Sequence, residues 1–336
     1  MMKRIAIFDT ALGTSNLGDE IIFEEVRRNM GSIFDSHFSL RLATHVNNFS
    51  VWQMLRRNSK IRFFQEADWK FICGTNLIAQ TRIGKINSQW QLTPSNLSIY
   101  KNCVLIGAGT TEDKETLDPY ARFLYRSVLS KKFIHSVRDE LTRGIVESLG
   151  CRAVNTGCPT LWDLTPERCS GIPAGKGDSC VVSVSGYGNQ TDEERDSMML
   201  GIVTGSYGNV RAWIQTTEDD GYLTRLEKRL GIPPLYRIYS LSAFREVLLS
   251  GRTDYVGTRL HGGIFAMRNG CRSLIISIDH RADGLRETNN IPALSRKDIG
   301  SQLERLINSS FTTDIHLNVD AIAKFKSQFS GDINTI

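Results

Sequence analysis

Two segments of the sequence concentrate groups that can hold an anion and move a proton. His135-Ser136-Val137-Arg138-Asp139-Glu140-Leu141-Thr142 sets an arginine just past an apolar run. Gly257-Thr258-Arg259-Leu260-His261-Gly262-Gly263-Ile264-Phe265-Ala266 sets an arginine and a histidine past another. A guanidinium is the side chain for forked capture of carboxylate or phosphate, and imidazole is the acid–base group poised near neutral pH. The glycines after His261 let backbone or ligand come close where a helix begins, and helix N-termini also bind anions. Each residue has a plainer alternative: Arg138 pairing locally with Asp139 or Glu140, and His261 hydrogen-bonded in a core. That alternative leaves unexplained why cationic groups recur at strand ends in both halves of the chain.

Three other motifs carry less. Gly13-Thr14-Ser15-Asn16-Leu17-Gly18-Asp19-Glu20 has the glycine spacing of a P-loop, but two acids stand where lysine and a hydroxyl residue belong. Carboxylates there repel phosphates and suit the positive end of a helix dipole, so the P-loop is rejected; Asn16 and Asp19 read as an Asx turn and a cap. Gly107-Ala108-Gly109-Thr110-Thr111-Glu112 begins like a dinucleotide fingerprint but lacks the third glycine. Glu218-Asp219-Asp220 resembles the acidic pair of metal-dependent sugar transferases, although three such acids also fit a solvated helix start. No His or Cys spacing supports a metal site, so none is expected.

The elements that must position these residues are short apolar runs, each followed by a small polar turn and a helix-like segment: 5–8, 71–73, 103–106, 133–137, 180–184, 210–214, 255–256 and 274–278. That alternation predicts βαβ units and parallel sheets covered on both faces, with functional residues in loops after the strands' carboxyl ends. The chain of 336 residues, 40% hydrophobic and 23% charged, is long enough for two cores. The expected organisation is a Rossmann-like domain over 1–165, a Pro- and Gly-rich linker over 166–178, a second Rossmann-like domain over 179–310, and a tail over 311–336 that crosses back. Helices are expected at 297–307 and 319–329. The fold class is thus α/β, two Rossmann-like domains with parallel sheets facing a cleft, an outline that fits glycosyltransferases of the GT-B type. That outline also fits periplasmic binding proteins and some dehydrogenases, so it does not give function.

The longest apolar runs are strand-length, which excludes a membrane span, and Met1 to Asp9 reads as a first buried strand rather than a leader. Seven cysteines without a CxxC pair suit a reducing cytoplasm. A net charge of +5 without a lysine-rich tail argues against nucleic acid and for an anionic small substrate or membrane surface.

Asn16-Leu17-Gly18-Asp19-Glu20, Ser136-Val137-Arg138-Asp139, Thr156-Gly157-Cys158-Pro159-Thr160, Thr258-Arg259-Leu260-His261-Gly262 and Asp279-His280-Arg281 follow one another as in the polysaccharide pyruvyl transferase family. The chain resembles that family over roughly residues 14 to 285, and the Arg-Leu-His-Gly segment is the most specific part. The resemblance implies a GT-B-like fold and transfer of a pyruvyl group from phosphoenolpyruvate to saccharide hydroxyls, closing a ketal in cell-surface polysaccharide biosynthesis. By that resemblance Arg138, Arg259, Leu260 and His261 hold the donor, and His261 supplies the proton. Asn16, Asp19, Asp279, Arg281 and Asp283 remain candidates for the acceptor site or the base. Phosphoenolpyruvate is the donor substrate and no cofactor is implied; a polyprenyl-linked acceptor and peripheral association with the inner face of the membrane stay open. The rivals are a GT-B glycosyltransferase using a nucleotide-sugar and a non-catalytic glycan- or anion-binding protein.

Overall fold

The computed structural model describes residues 2–56, 59–81, 89–112 and 116–330. The chain divides into two compact units. The first comprises Met1–Thr14, Ile22–Trp162 and Asn318–Ile336, and the second comprises Ser15–Ile21 and Asp163–Leu317.

The first unit is built on β1 (Arg4–Asp9), β2 (Phe38–Ala43), β3 (Trp69–Cys73) and β4 (Val104–Ile106), parallel in the order β2-β1-β3-β4. β5 (Ile134–Val137) and β6 (Arg152–Asn155) pair in parallel alongside. β3 and β4 are buried at every residue, as strands covered by helices on both faces must be. Between β4 and β5, side chains replace part of the ladder: the Leu105 N–H donates to His135 Nδ1 (3.1 Å) and the Gly107 N–H to Ser136 Oγ (2.9 Å). His135 Nε2 donates to the Ser130 carbonyl (2.7 Å), and burial pushes its pKa down to about 4, which keeps the ring neutral. The helix Val319–Ser327 belongs to this unit: Phe325 lies 6.3 Å from Trp162 between ring centroids, and the following Phe329 lies 4.9 Å from Phe71.

The second unit contains β7 (Ser179–Ser183), β8 (Val210–Trp213), β9 (Tyr236–Ile238), β10 (Thr253–Gly257), β11 (Ser273–Ser277) and β12 (Ala293–Ser295), parallel in the order β12-β11-β10-β7-β8-β9. Its first strand lies in the middle, so chain direction across the sheet reverses between β7 and β10. Ligands of open α/β sheets bind at such switch points. The core on one face stacks Trp213 on Phe244 (4.5 Å) and Phe244 on Phe265 (5.3 Å).

Each run of the sequence read as a strand coincides with one to within two residues at its ends. The four strands without such a run, β2, β6, β9 and β12, are all sheet edges. These four are short or only partly buried and carry polar residues, so they write no continuous apolar run. The expected linker is corrected. Thr165 caps a helix over Pro166–Ser170 through the Arg168 N–H (3.4 Å), and the Asp178 N–H donates to Arg252 O (2.7 Å), so this stretch is part of the second unit. Proline at the first helical position after a capping threonine starts a helix as readily as it breaks one. No helix among the described residues is long and apolar enough to cross a membrane. All seven cysteines are buried and unbridged.

Candidate active site

At the switch point of the second unit, the loops after β7 and β10 are tied together. The Thr258 N–H donates to Ser183 O (3.1 Å), the Arg259 N–H to Ser183 Oγ (3.2 Å), and the Ser185 and Thr258 hydroxyls meet at 2.9 Å. Arg259 thus becomes the N-cap residue of the helix Leu260–Arg268. Its side chain turns to the start of the helix Thr217–Leu230: Nε donates to Asp219 Oδ2 (2.9 Å), and Nη2 donates to Asp219 Oδ1 and to Thr216 Oγ1 (3.0 Å). The Tyr187 ring packs on the guanidinium, 4.5 Å from its carbon. Asp219 is held in turn by backbone N–H groups of Gly186 (2.9 Å), Gln215 (3.2 Å) and Thr216 (3.1 Å).

The Arg259 and Asp219 side chains are only 3% and 0% exposed. Two opposite charges at that depth offset each other's desolvation, and removal of either partner from such a pair costs about 3–5 kcal/mol. The pair carries no net charge, so what Arg259 offers is an oriented N–H edge. This corrects the reading of Glu218-Asp219-Asp220. Asp219 is committed to Arg259, and Asp220 accepts from Arg237 Nε (3.1 Å) and the Tyr239 hydroxyl (3.1 Å). The run does start a helix, but its middle acid is buried rather than solvated.

Tyr187 also lies near a second arginine, Arg281, whose charge it favours. Asp279 caps the helix His280–Asn289, accepting from the Arg281 N–H (3.0 Å), from Arg281 Nε (3.0 Å) and from Gln190 Nε2 (3.3 Å). Burial disfavours the charge on Arg281, and the Asp279 carboxylate more than restores it, raising its pKa. Asp283 accepts from Ser277 Oγ (2.8 Å) at the end of β11 and faces Arg286 (3.6 Å).

Leu260 and His261 are half-buried in the first turn after Arg259. The glycines that follow serve the sheet rather than a ligand. A Cβ on Gly263 would stand 2.5 Å from Ile275 Cγ1, and one on Gly262 would stand 2.8 Å from the Tyr255 hydroxyl. They let this helix lie close on β10 and β11, which aims its N-terminus, and His261 with it.

Asn16 and Asp19 belong to the second unit too. Asn16 Oδ1 accepts from the Gly18 N–H (3.0 Å), which is an Asx turn, and from Gln215 Nε2 (2.9 Å), while the Leu17 N–H donates to Gln215 O (3.0 Å). Through Gln215 and Asp219 this turn connects to Arg259. Asp19 is nearly buried in the first turn of its helix.

Arg138 stands in the first unit, immediately past β5. Nη2 donates to Asn76 Oδ1, and Nε lies 3.6 Å from Asp139, so the local pairing with Asp139 exists and does not exhaust the side chain. Glu140 instead pairs with Arg143 (2.8 Å) and Asn155 (2.8 Å). A Cβ on Gly109 would overlap the Arg138 guanidinium. The turn that began like a dinucleotide fingerprint is therefore the seat of an arginine.

A family model described as polysaccharide pyruvyl transferase matches residues 16–280. The chain belongs to that family. It is accordingly a transferase, and its α/β fold with parallel sheets is GT-B-like. Solved structures agree on the fold at low identity. A UDP-GlcNAc 2-epimerase from Methanocaldococcus jannaschii is 12% identical with a TM-score of 0.53, covering 94% of this chain and 95% of that one. The S. aureus MnaA–UDP complex is 12% identical with a TM-score of 0.52, covering 100% and 98%. A putative UDP-N-acetylglucosamine 2-epimerase from Listeria monocytogenes is 10% identical with a TM-score of 0.51, covering 97% and 90%. No curated protein matches the sequence.

Within this pyruvyl transferase, the sequence pointed to Arg259 and His261 but not to the residues that hold them. Asp219, Thr216 and Tyr187 come from other loops, 40 residues from Arg259 in the case of Asp219. One signal was available for Tyr187: it lies between glycines, Gly186 and Gly188, just past a predicted strand.

Proposed function

We propose that the protein transfers the pyruvyl group of phosphoenolpyruvate to two hydroxyls of a saccharide, forming a pyruvate ketal for a cell-surface polysaccharide. The observation that carries this reading is the Arg259 fork, fixed by Asp219 at the switch point, with His261 two residues on in the same helical turn. Arg259 and the helix N-terminus meet the carboxylate or phosphate of the donor, as a forked guanidinium at a helix start can. Fixing the donor in this way lowers the entropic part of the barrier.

In the reaction, the His261 imidazolium gives its proton to the methylene carbon of the enol, and C2 becomes an oxocarbenium-like electrophile. An acceptor hydroxyl adds there, the C2–O bond to phosphorus breaks with its electron pair leaving on phosphate, and the second hydroxyl closes the ring. Of the two hydroxyl protons, one restores His261 and the other departs with phosphate. The Arg259 N–H edge and the helix dipole stabilise the developing charge, and neither metal nor cofactor takes part. Asp279 is engaged by Arg281, and Asp283 by Ser277 and Arg286; each is a hydrogen-bond acceptor for the sugar at a strand end, and so is the Asn16–Asp19 turn.

The test is to incubate the protein with phosphoenolpyruvate and a panel of saccharide diols, reading phosphate release and the mass of the ketal. Acceptor-dependent release with ketal formation is the expected result. Uridine nucleotide binding with no release from phosphoenolpyruvate would replace this reading by a nucleotide-sugar transferase.

A further inference from the structure

The amino ends of β3, β4 and β5 in the first unit border a cavity of about 500 Å³, the size of a small-molecule site. Lys3, Lys70, Lys101 and Lys132 line it together with Asn102. Two carboxylates share the lining, and Arg4 engages both. Glu66 lies 3.5 Å from Arg4 and 3.8 Å from Arg62, while Asp68 accepts from the Arg4 N–H (2.8 Å) and faces Arg4 Nε (4.0 Å). Lys3 lies over the Trp69 ring at 4.0 Å, and Lys132 over Phe133 at 5.4 Å. Neither Lys101 nor Lys132 has a carboxylate partner among the described residues. Asn102 holds a left-handed φ of 66°, a conformation asparagine tolerates, and its amide has no partner among them either.

Lys70, within β3, is only 4% exposed. Its ammonium donates to Gln65 O (2.8 Å) and Ile99 O (3.0 Å), carbonyls in the last turns of the helices Ser59–Glu66 and Leu97–Tyr100. An ammonium has three protons to donate, and the third finds no acceptor among the described residues. Burial pushes the pKa of Lys70 down to about 8, Lys101 lowers it further, and Cys103 acts against them. Closing two helix ends accounts for two of the protons. It does not account for the third, nor for the convergence of Lys101, Asn102 and Lys132 from the turns before β4 and β5. Three ammonium groups from three neighbouring strands suit a tetrahedral dianion with three terminal oxygens, whereas a planar carboxylate suits one arginine fork. We propose that this cavity binds a phosphate monoester, with its oxygens on Lys70, Lys101 and Lys132. Lys132 precedes β5 and Arg138 follows it, so the length of that strand separates the cavity from Arg138. The site stands whether or not the protein transfers a pyruvyl group.

The test is calorimetric titration of the full chain with glucose 6-phosphate at pH 8, where the ester is a dianion, in Tris and again in HEPES. The difference in heat between the buffers counts protons. Lys70 is about half charged at that pH and a bound dianion restores its charge, so binding takes up as much as about half a proton. Lys101→Gln with Lys132→Gln, both at exposed positions, lowers the affinity about tenfold or more and keeps the melting temperature. Lys70→Met weakens binding and abolishes the proton uptake. If that variant does not fold, the uptake by the parent and the exposed double variant decide. Arg259→Lys, in the other unit, changes neither affinity nor uptake.

No binding at millimolar glucose 6-phosphate would overturn the proposal. So would binding without proton uptake, or an affinity that Lys101→Gln/Lys132→Gln retains in full. Binding that Arg259→Lys removes would also overturn it, because the ester would then sit at the switch point of the second unit. Binding and uptake as expected, in a protein that releases no phosphate from phosphoenolpyruvate, would sink the activity and leave this site.

Discussion

The two ends of the second unit's sheet each bury an arginine against an aspartate and an aromatic ring, and they use the arrangement differently. At the amino ends of β10 and β11, Arg272 Nη1 donates to Asp254 (2.8 Å) and Ile307 O (3.1 Å), and Nη2 to Leu306 O (2.8 Å) and Ser309 O (2.7 Å). Phe311 covers it at 4.3 Å, and the Tyr207 hydroxyl donates to Asp254 (2.7 Å). Those carbonyls end the helix Ile299–Asn308, so this arginine is a rivet between sheet and helix. At the carboxyl ends, Arg259 runs its hydrogen bonds through Nε and Nη2 to Asp219 and Thr216, and Nη1 is the edge that we propose the donor meets. Equal burial and equal pairing therefore do not separate structure from function; which edge of the guanidinium is engaged does.

The largest expected effect falls on the rivet. Arg272→Ala strands Asp254 and three carbonyls, and unfolding free energy should fall by about 3–5 kcal/mol, measured as the urea midpoint. Turnover per folded molecule should stay normal at a temperature where the variant remains folded. A variant as stable as the parent, or one folded but inactive, breaks the comparison.

His261→Gln comes next and acts on the other side of it. Glutamine keeps a hydrogen-bonding group but cannot deliver a proton, so turnover should fall about 10²–10⁴-fold while donor affinity and melting temperature change little. If the melting temperature falls instead and activity loss follows the unfolded fraction, His261 is a packing residue and the mechanism loses its acid.

Much of this contrast was legible in the sequence, and the reason is periodicity. Central strands buried on both faces write continuous apolar runs, so the strand ends that carry Arg138, Arg259 and His261 were located from Phe133–Val137 and Tyr255–Val256 alone. Partnerships across the sheet are not written locally. Asp219 sits among acids that suggest a solvated turn, and only folding of the β8 loop against the β10 loop gives it Arg259. Residues 15–21 fall next to the first strand in sequence yet dock on Gln215 in the other unit. The 166–178 stretch has linker composition, and a single Thr-Pro capping pair makes a helix of its start.

The first unit repeats the lesson with two histidine-strand neighbours, and pH tests it. His135, inside β5, is saturated by Leu105 N–H and Ser130 O, whereas Arg138, just past the same strand, reaches out to Asn76. The folded chain holds His135 near pKa 4 against an ordinary value of 6.5, so between those pH values the unfolded chain binds more protons and stability rises with pH. The contribution, roughly 3 kcal/mol, is complete above pH 6.5 and is lost as pH falls toward 4. His135→Gln should be less stable at pH 7 and should shed this slope. Parallel pH profiles for variant and parent would remove His135 from its structural role.

The smallest effect is the most discriminating, because it makes the same substitution at both arginines. Lysine keeps the charge and loses the planar fork, so Arg259→Lys should weaken phosphoenolpyruvate binding about 10- to 100-fold, the worth of one charge-assisted hydrogen bond, roughly 1.5–3 kcal/mol. Arg272→Lys should leave donor affinity untouched and lower the urea midpoint, since one ammonium cannot serve Asp254 and the carbonyls of Leu306, Ile307 and Ser309 together. Calorimetric titration with phosphoenolpyruvate on both variants, beside their denaturation curves, gives four numbers that must fall in a crossed pattern. If both lysine variants lose only stability, Asp219 holds Arg259 for the fold and not for the donor, and the two ends of the sheet are the same device used twice.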